Sequence, residues 1–194
     1  MAESSGPKWV GAGGVSPTSL QLSLGWMVQK NKPLFVVENY VDALVINYYL
    51  SDYYSAVPTF SVSYWSDAWV EEIAARKPSQ VIVAFDPDLA GNGPVSKAHA
   101  RRLFTQRICK IHGHRNEDVT ITRLVKSHKR WSVSYTALGE PGQLNLPAPF
   151  GLQRVKSFLD AGLPAKAARW EAEGKDIGDY LSRELKSMSQ KEAA

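Results

Sequence analysis

Three carboxylates have the types and positions to support metal-assisted phosphate chemistry: Glu38, Asp86 and Asp88. Glu38 follows the apolar run Leu34-Phe35-Val36-Val37, and the Asp86-Pro87-Asp88 pair follows Val81-Ile82-Val83-Ala84-Phe85. Acids gathered in one crevice repel and raise one another's pKa, which is costly unless a cation neutralises them. Mg²⁺ (or Mn²⁺) suits such a set, because it takes a few carboxylate oxygens and keeps waters that a phosphate can replace. An ion held this way orients a phosphate and stabilises charge on the attacking and leaving oxygens. The bland alternative is that these acids cap turns and helix N-termini, where carboxylates are favoured anyway.

For these acids to meet, the two apolar runs must be neighbouring parallel strands. Runs without period-two alternation suit strands covered on both faces. In open α/β sheets, ligands bind outside the carboxyl ends of such strands. Val41, Leu44, Val45 and Tyr48 follow helical spacing and predict a crossover helix over 40–50. A short strand follows over 58–62, then a helix over 68–76 capped by Ser66 or Asp67, and a helix from about 95 to 110. Val119 to Val125 reads as a fourth strand. This βαβαβαβ order implies a mostly parallel sheet with right-handed crossovers. Beyond it the pattern gives a strand over 132–135, a Gly/Pro-rich loop over 139–151, a helix over 152–159, a last strand over 167–171 and a helix opened by Asp176. The expected fold class is α/β: a compact, mostly parallel sheet flanked by helices. Residues 1–33 form an irregular arm, 34–182 the core with 126–165 readable as an insertion, and 183–194 a C-terminal tail.

The length of 194 residues fits one ordinary domain. With 23 Lys+Arg against 19 Asp+Glu, the net charge of +4 permits a polyanionic partner without demanding one. The single Cys109 excludes an internal disulfide and a cysteine-based zinc site. No apolar run approaches the roughly 20 residues of a membrane span, and the N-terminus lacks a secretory layout, so a soluble, cytosolic chain is expected. Lys126, His128, Lys129, Arg130 and Trp131 offer phosphate contacts beside a stacking ring, a combination used by single-strand binders. A solvated charged face is the equal alternative. Asp42 either orients the site or caps the crossover helix. Lys175 could meet a phosphate, and Asp176 could support the metal or act as an N-cap. Gly91 and Gly93 would let backbone or substrate approach closely. Arg101, Arg102 and Arg107 read as structural, and His112 and His114 as a loop, since no third ligand lies nearby.

Three segments resemble one known family, the TOPRIM domain. LFVVENYVDAL is similar to its first motif, in the form Glu38-Asn39-Tyr40-Val41-Asp42 found in DnaG-type and phage or plasmid primases. AFDPDLAG resembles the second motif, and Gly174-Lys175-Asp176-Ile177-Gly178-Asp179-Tyr180-Leu181 a segment found downstream in primase-type members. The resemblance covers roughly residues 34–182. It implies a TOPRIM-like Rossmannoid sheet and Mg²⁺ or Mn²⁺ held by acids, with Glu38 as metal ligand or general acid/base and Asp86 and Asp88 as metal ligands. It further implies nucleotidyl transfer from nucleoside triphosphates to make primers on a single-stranded DNA template, alongside a helicase or other replication proteins. Two alternatives carry over: a metal-dependent TOPRIM nuclease, and a non-catalytic nucleic-acid or replisome-binding module. The chain departs from the pattern in three ways. Asn39 stands where the family has Gly, one cysteine precludes the usual zinc module, and the first 33 residues are too few for a template-gripping subdomain. The expectation is a fragment of a longer primase or a minimal TOPRIM protein.

Overall fold

The computed structural model describes residues 28–59, 65–127, 130–170, 177–178 and 181. Four helices are present in the described part: α1 (Tyr40–Tyr49), α2 (Asp67–Ala75), α3 (Lys97–His112) and α4 (Phe150–Asp160). Strands β1 (Pro33–Val37), β2 (Ser55–Pro58) and β3 (Gln80–Ala84) pair in parallel with β7 (Ala165–Ala167), in the order β2-β1-β3-β7. Helices flank this sheet, so the α/β expectation holds at that level.

Both faces of the sheet are covered at its centre, which is why β1 (PLFVV) and residues 81–84 of β3 are apolar. Leu34, Val36, Val81, Val83 and Phe85 project to one side, where Trp69, Val70 and Ile73 of α2 and Phe158 of α4 cover them. Val37, Ala56 and Ala84 project to the other, under Ala43 and Ile46 of α1 and under Trp170 and Ile177. Each large aliphatic side chain fully buried here contributes about 1.5–3 kcal/mol. The chain therefore leaves β1 over one face, through α1, and reaches β7 from β3 over the opposite face, through α4. Between β1 and β3 the direction of winding reverses.

The second half departs from the sequence expectation. Val119 to Val125 belongs to β4 (Val119–Lys126), which joins β5 (Arg130–Ala137) and β6 (Glu140–Pro147) in a separate antiparallel sheet. Its Thr and Arg residues alternate with apolar ones, and in β4 only Val119 is fully buried, so it is a half-exposed strand rather than a doubly covered one. A register shift between Ile121 and Arg123 breaks the alternation further. The predicted loop over 139–151 is largely β6. Leu144 and Leu146 alternate with Gln143 and Asn145, and Pro141 and Pro147 are tolerated because β6 is an edge strand. One face of this sheet packs Trp131, Val133, Tyr135 and Ala137 against Ala100, Phe104, Ile108 and Cys109 of α3.

Smaller corrections follow the same logic. The strand expected over 58–62 is Ser55–Pro58, and residues 60–64 lie outside the described ones. The last strand ends at Ala167 rather than continuing to 171. Ile177, Gly178 and Leu181 are helical where a C-terminal helix is expected, but Lys175 and Asp176 lie outside the described residues. No helix among the described residues is long and apolar enough to cross a membrane.

Candidate functional site

The register of the parallel sheet places two of the three acids. Val37 is paired with Ala84 across β1 and β3, strands that run about 4.8 Å apart. Glu38 is the first residue beyond β1, and Asp86 the second beyond β3. Both are half-buried, whereas Phe85 between Ala84 and Asp86 is fully buried in the core and fixes the chain direction there. Thr59 secures the end of β1 from the other side, its N–H donating to the Val37 carbonyl at 2.9 Å.

The loop carrying Asp86 and Asp88 is closed by its own hydrogen bonds. The Asn92 N–H donates to the Asp86 carbonyl at 2.8 Å. The Asn92 side-chain amide donates to the carbonyls of Val83 (2.9 Å) and Ala168 (3.1 Å), tying the loop to the ends of β3 and β7. Gly91 lies so close to the Asp86 carbonyl that any Cβ would collide with it, and Gly93 has a positive φ of 79°. The N–H groups of Phe150 and Gly151 at the start of α4 donate to the carbonyls of Ala90 and Gly91. Leu89 packs into the core beneath α3. Close approach at Gly91 and Gly93 is thus as expected. The sequence assigns Asn92 no role beyond the turn, although its setting between two glycines is a signal that its side chain serves that turn.

Asp88 is only partly available as a ligand. Its Oδ1 accepts the N–H groups of Ala90 (2.9 Å) and Gly91 (2.6 Å), holding the turn in shape. Among the described residues, no three His, Cys, Asp or Glu side chains converge closely enough to hold a metal ion. The expected three-carboxylate cluster is therefore not assembled here. Glu38 and Asp86, at adjacent strand ends, carry hard carboxylate oxygens. Such oxygens are the donors that an ion such as Mg²⁺ takes, one or two at a time, with water and phosphate completing its shell.

Asp42 is 2% exposed and has a defined structural task. Asn39 is the N-cap of α1 in ordinary extended conformation (φ −119°, ψ 162°), and its Oδ1 accepts the Asp42 N–H at 2.9 Å. The Asn39 amide in turn donates to Asp42 Oδ2 at 2.6 Å, while Asp42 Oδ1 accepts the Gly178 N–H at 3.1 Å. Asn39 thus caps the helix rather than exploiting an unusual backbone angle. Asp42 belongs to that cap and anchors the Ile177-Gly178 segment.

The basic cluster is divided. Trp131 is 4% exposed, its ring beneath Lys126 (5.1 Å) and beside Phe104 (5.5 Å), so it offers no surface for a base. Lys126 and Arg130 are exposed on either side of the turn that joins β4 to β5, and His128 and Lys129 lie outside the described residues. Burial, and then the neighbouring Arg169, hold the Lys126 ammonium below its usual pKa. Trp131 also lies within van der Waals reach of the Gly93 position, so this end of the second sheet adjoins the Asp86 loop.

A cleft of about 460 Å³ lies beside that loop, lined by Pro87, Val95, Ser96, Ala98, His99, Arg102 and Trp170. His99 is held below its usual pKa by burial and by Arg102, with Asp88 pulling the other way. None of its polar residues was singled out for a site from the sequence; Arg102 read as structural. Comparison of the chain with family models, with curated proteins and with solved structures finds no match in any of the three.

Proposed function

We propose that this chain is a TOPRIM-type, Mg²⁺-dependent phosphoryl-transfer domain of the primase class, extending short primers on single-stranded DNA from nucleoside triphosphates. The observation that carries this reading is the position of Glu38 and Asp86. They flank the point where the winding of a parallel sheet reverses, the crevice in which open α/β sheets bind their ligands. Mg²⁺ or Mn²⁺ held there would supply charge neutralisation to a polyphosphate. Glu38 and Asp86 hold the ion or exchange a proton with the reacting hydroxyl. Asp88 shapes the turn, one of its oxygens accepting the N–H groups of Ala90 and Gly91. Lys126 and Arg130 contribute phosphate contacts on the template, without the base stacking that a surface tryptophan would give.

Incubating the protein with single-stranded template, Mg²⁺ and nucleoside triphosphates should yield short products that Glu38→Gln and Asp86→Asn abolish. Products surviving both substitutions would exclude the reading. Strand cleavage without added nucleotides would move the same site to the nuclease class, and salt-sensitive DNA binding indifferent to chelator would move the chain to a non-catalytic module.

A further inference from the structure

The outward side of α1 is apolar where a surface helix is normally polar. Asp42, Ala43 and Ile46 face the sheet, and the opposite side presents Tyr40, Val41, Leu44 and Tyr48, all exposed. Asp42 is the only charged residue of the helix, and it is buried. A helix that is apolar on both sides is one that its folded assembly covers on both sides. Among the described residues nothing covers this outer side: Tyr48 is 79% and Val41 58% exposed.

Size and charge select the occupant. With roughly 150–250 Å² for a whole aromatic side chain and less for an aliphatic one, Tyr40, Val41, Leu44, Tyr48 and Tyr49 at their exposures present on the order of 500–600 Å² of apolar surface. A standard interface buries about 800 Å² per partner, about 65% of it non-polar where the partner is an identical chain. The face therefore matches the apolar part of one homodimer half, and stands at the upper end of what a monomer leaves open. It offers no charge for a partner of opposite sign to complement. Two copies of it, by contrast, bring chains of net charge +4 together without like charges in contact.

The side chains suit such a contact. Val41, Leu44 and Tyr48 recur at spacings of three and four, the seam by which one helix interlocks with another. Tyr48 and Tyr49 already pack edge to face, 4.8 Å between ring centres, and tyrosine is enriched at interfaces because its body is apolar and its hydroxyl suits a wet rim. Other segments of the chain suit the face less well. Val28 enters the core on the opposite side of the sheet, beside α2 and α4. Residues 182–194, which follow Leu181 on the α1 side, bring only Leu185 and Met188 as large apolar side chains.

We infer that the outward face of α1 is a dimerisation surface for a second copy of this chain, with Val41, Leu44 and Tyr48 packing against the same face of the other protomer. The surface requires nothing of the phosphoryl-transfer site, although Asn39, the cap of α1, directly follows Glu38.

Sedimentation equilibrium of the full chain, from micromolar to a few hundred micromolar, reads the state directly. A reversible dimer is expected in wild type. Leu44→Glu and Tyr48→Glu should each weaken it about tenfold or more, with circular dichroism unchanged because both side chains are exposed in the single chain. Leu159→Glu, at an exposed leucine of α4 across the sheet, should leave the dimer unchanged. A second measurement needs no variant: nitration of Tyr48 in wild type, read by mass spectrometry, should fall as the dimer forms. A wild-type chain that stays monomeric, whatever else then covers the face, overturns the assignment. So does a dimer that survives both substitutions, that leaves Tyr48 as reactive as in the monomer, or that Leu159→Glu breaks equally.

Discussion

Asp42 in α1 accepts the backbone N–H of Gly178 at 3.1 Å, joining segments 136 residues apart. The bond seats Ile177 in the core beside Val37 and Ala84, the last residues of the two strands that lead to Glu38 and Asp86. Asp42→Asn keeps the shape but weakens two charge-assisted bonds, and a loss of about 1–3 kcal/mol is expected. Denaturant unfolding measures that loss, and hydrogen exchange should show the Gly178 amide deprotected well before the β3 amides. Unchanged protection at Gly178 would show that the bond does not anchor the C-terminal segment.

The Asp86 loop depends on Gly91 and Asn92 for its closure. Gly91→Ala places a methyl group against the Asp86 carbonyl and should shift that residue out of position. The expected result is a folded protein with normal circular dichroism but weakened Mn²⁺ affinity. Asn92→Ala should cost about 1–3 kcal/mol through its lost bonds to Val83 and Ala168. Wild-type metal affinity in Gly91→Ala would show that loop closure does not position the acid.

Trp131 and its basic neighbours separate cleanly. Trp131→Ala should cost about 3–5 kcal/mol of stability, since the ring is buried against Phe104. Lys126→Ala and Arg130→Ala should leave stability nearly unchanged, while each lowers the salt slope of single-stranded DNA binding by about 0.7. A salt slope untouched by both changes would remove these residues from any nucleic-acid contact.

His99 gives a pH signature. Its pKa in the folded chain lies below the usual 6.5, so the unfolded chain binds more protons as pH falls through that range. The stabilising contribution is therefore present above pH 6.5 and lost as pH drops towards the folded value. His99 is largely solvated, so the effect is small. His99→Gln should show a shallower acid-side loss of melting temperature than wild type, and identical slopes would refute the assignment.

The two central strands of the parallel sheet, β1 and β3, were legible because both their faces are covered, which writes them as apolar runs leading to acids; the short edge strands β2 and β7 carry no such run and lie a few residues from where they are expected. The helix over 40–50 is present but turned the other way: Val41, Leu44 and Tyr48, whose spacing predicts it, are exposed, and α1 buries Asp42, Ala43 and Ile46 instead, whereas Trp69 and Ile73 of α2 do face the core. The antiparallel sheet was not legible, because β4 mixes Thr and Arg with apolar residues and bulges at Ile121, and β6 hides its alternation among Pro, Gly and Asn. For the site, sequence proximity put Asp86 and Asp88 together as ligands, but only the hydrogen bonds show Asp88 committed to Ala90 and Gly91. His99, Arg102 and Trp170 converge from a helix start and a distant strand end, which no local pattern reveals.

Mn²⁺ titration followed by electron paramagnetic resonance, on wild type, Glu38→Gln, Asp86→Asn and Asp88→Asn, tests the central claim most directly. The expected result is an ion bound by wild type and tightened by a nucleoside triphosphate. Glu38→Gln and Asp86→Asn should each lower affinity about tenfold or more, and Asp88→Asn should do so less, because one of its oxygens serves the turn. Binding that is absent in wild type, or indifferent to both Glu38→Gln and Asp86→Asn, would contradict a metal-dependent phosphoryl-transfer site between β1 and β3.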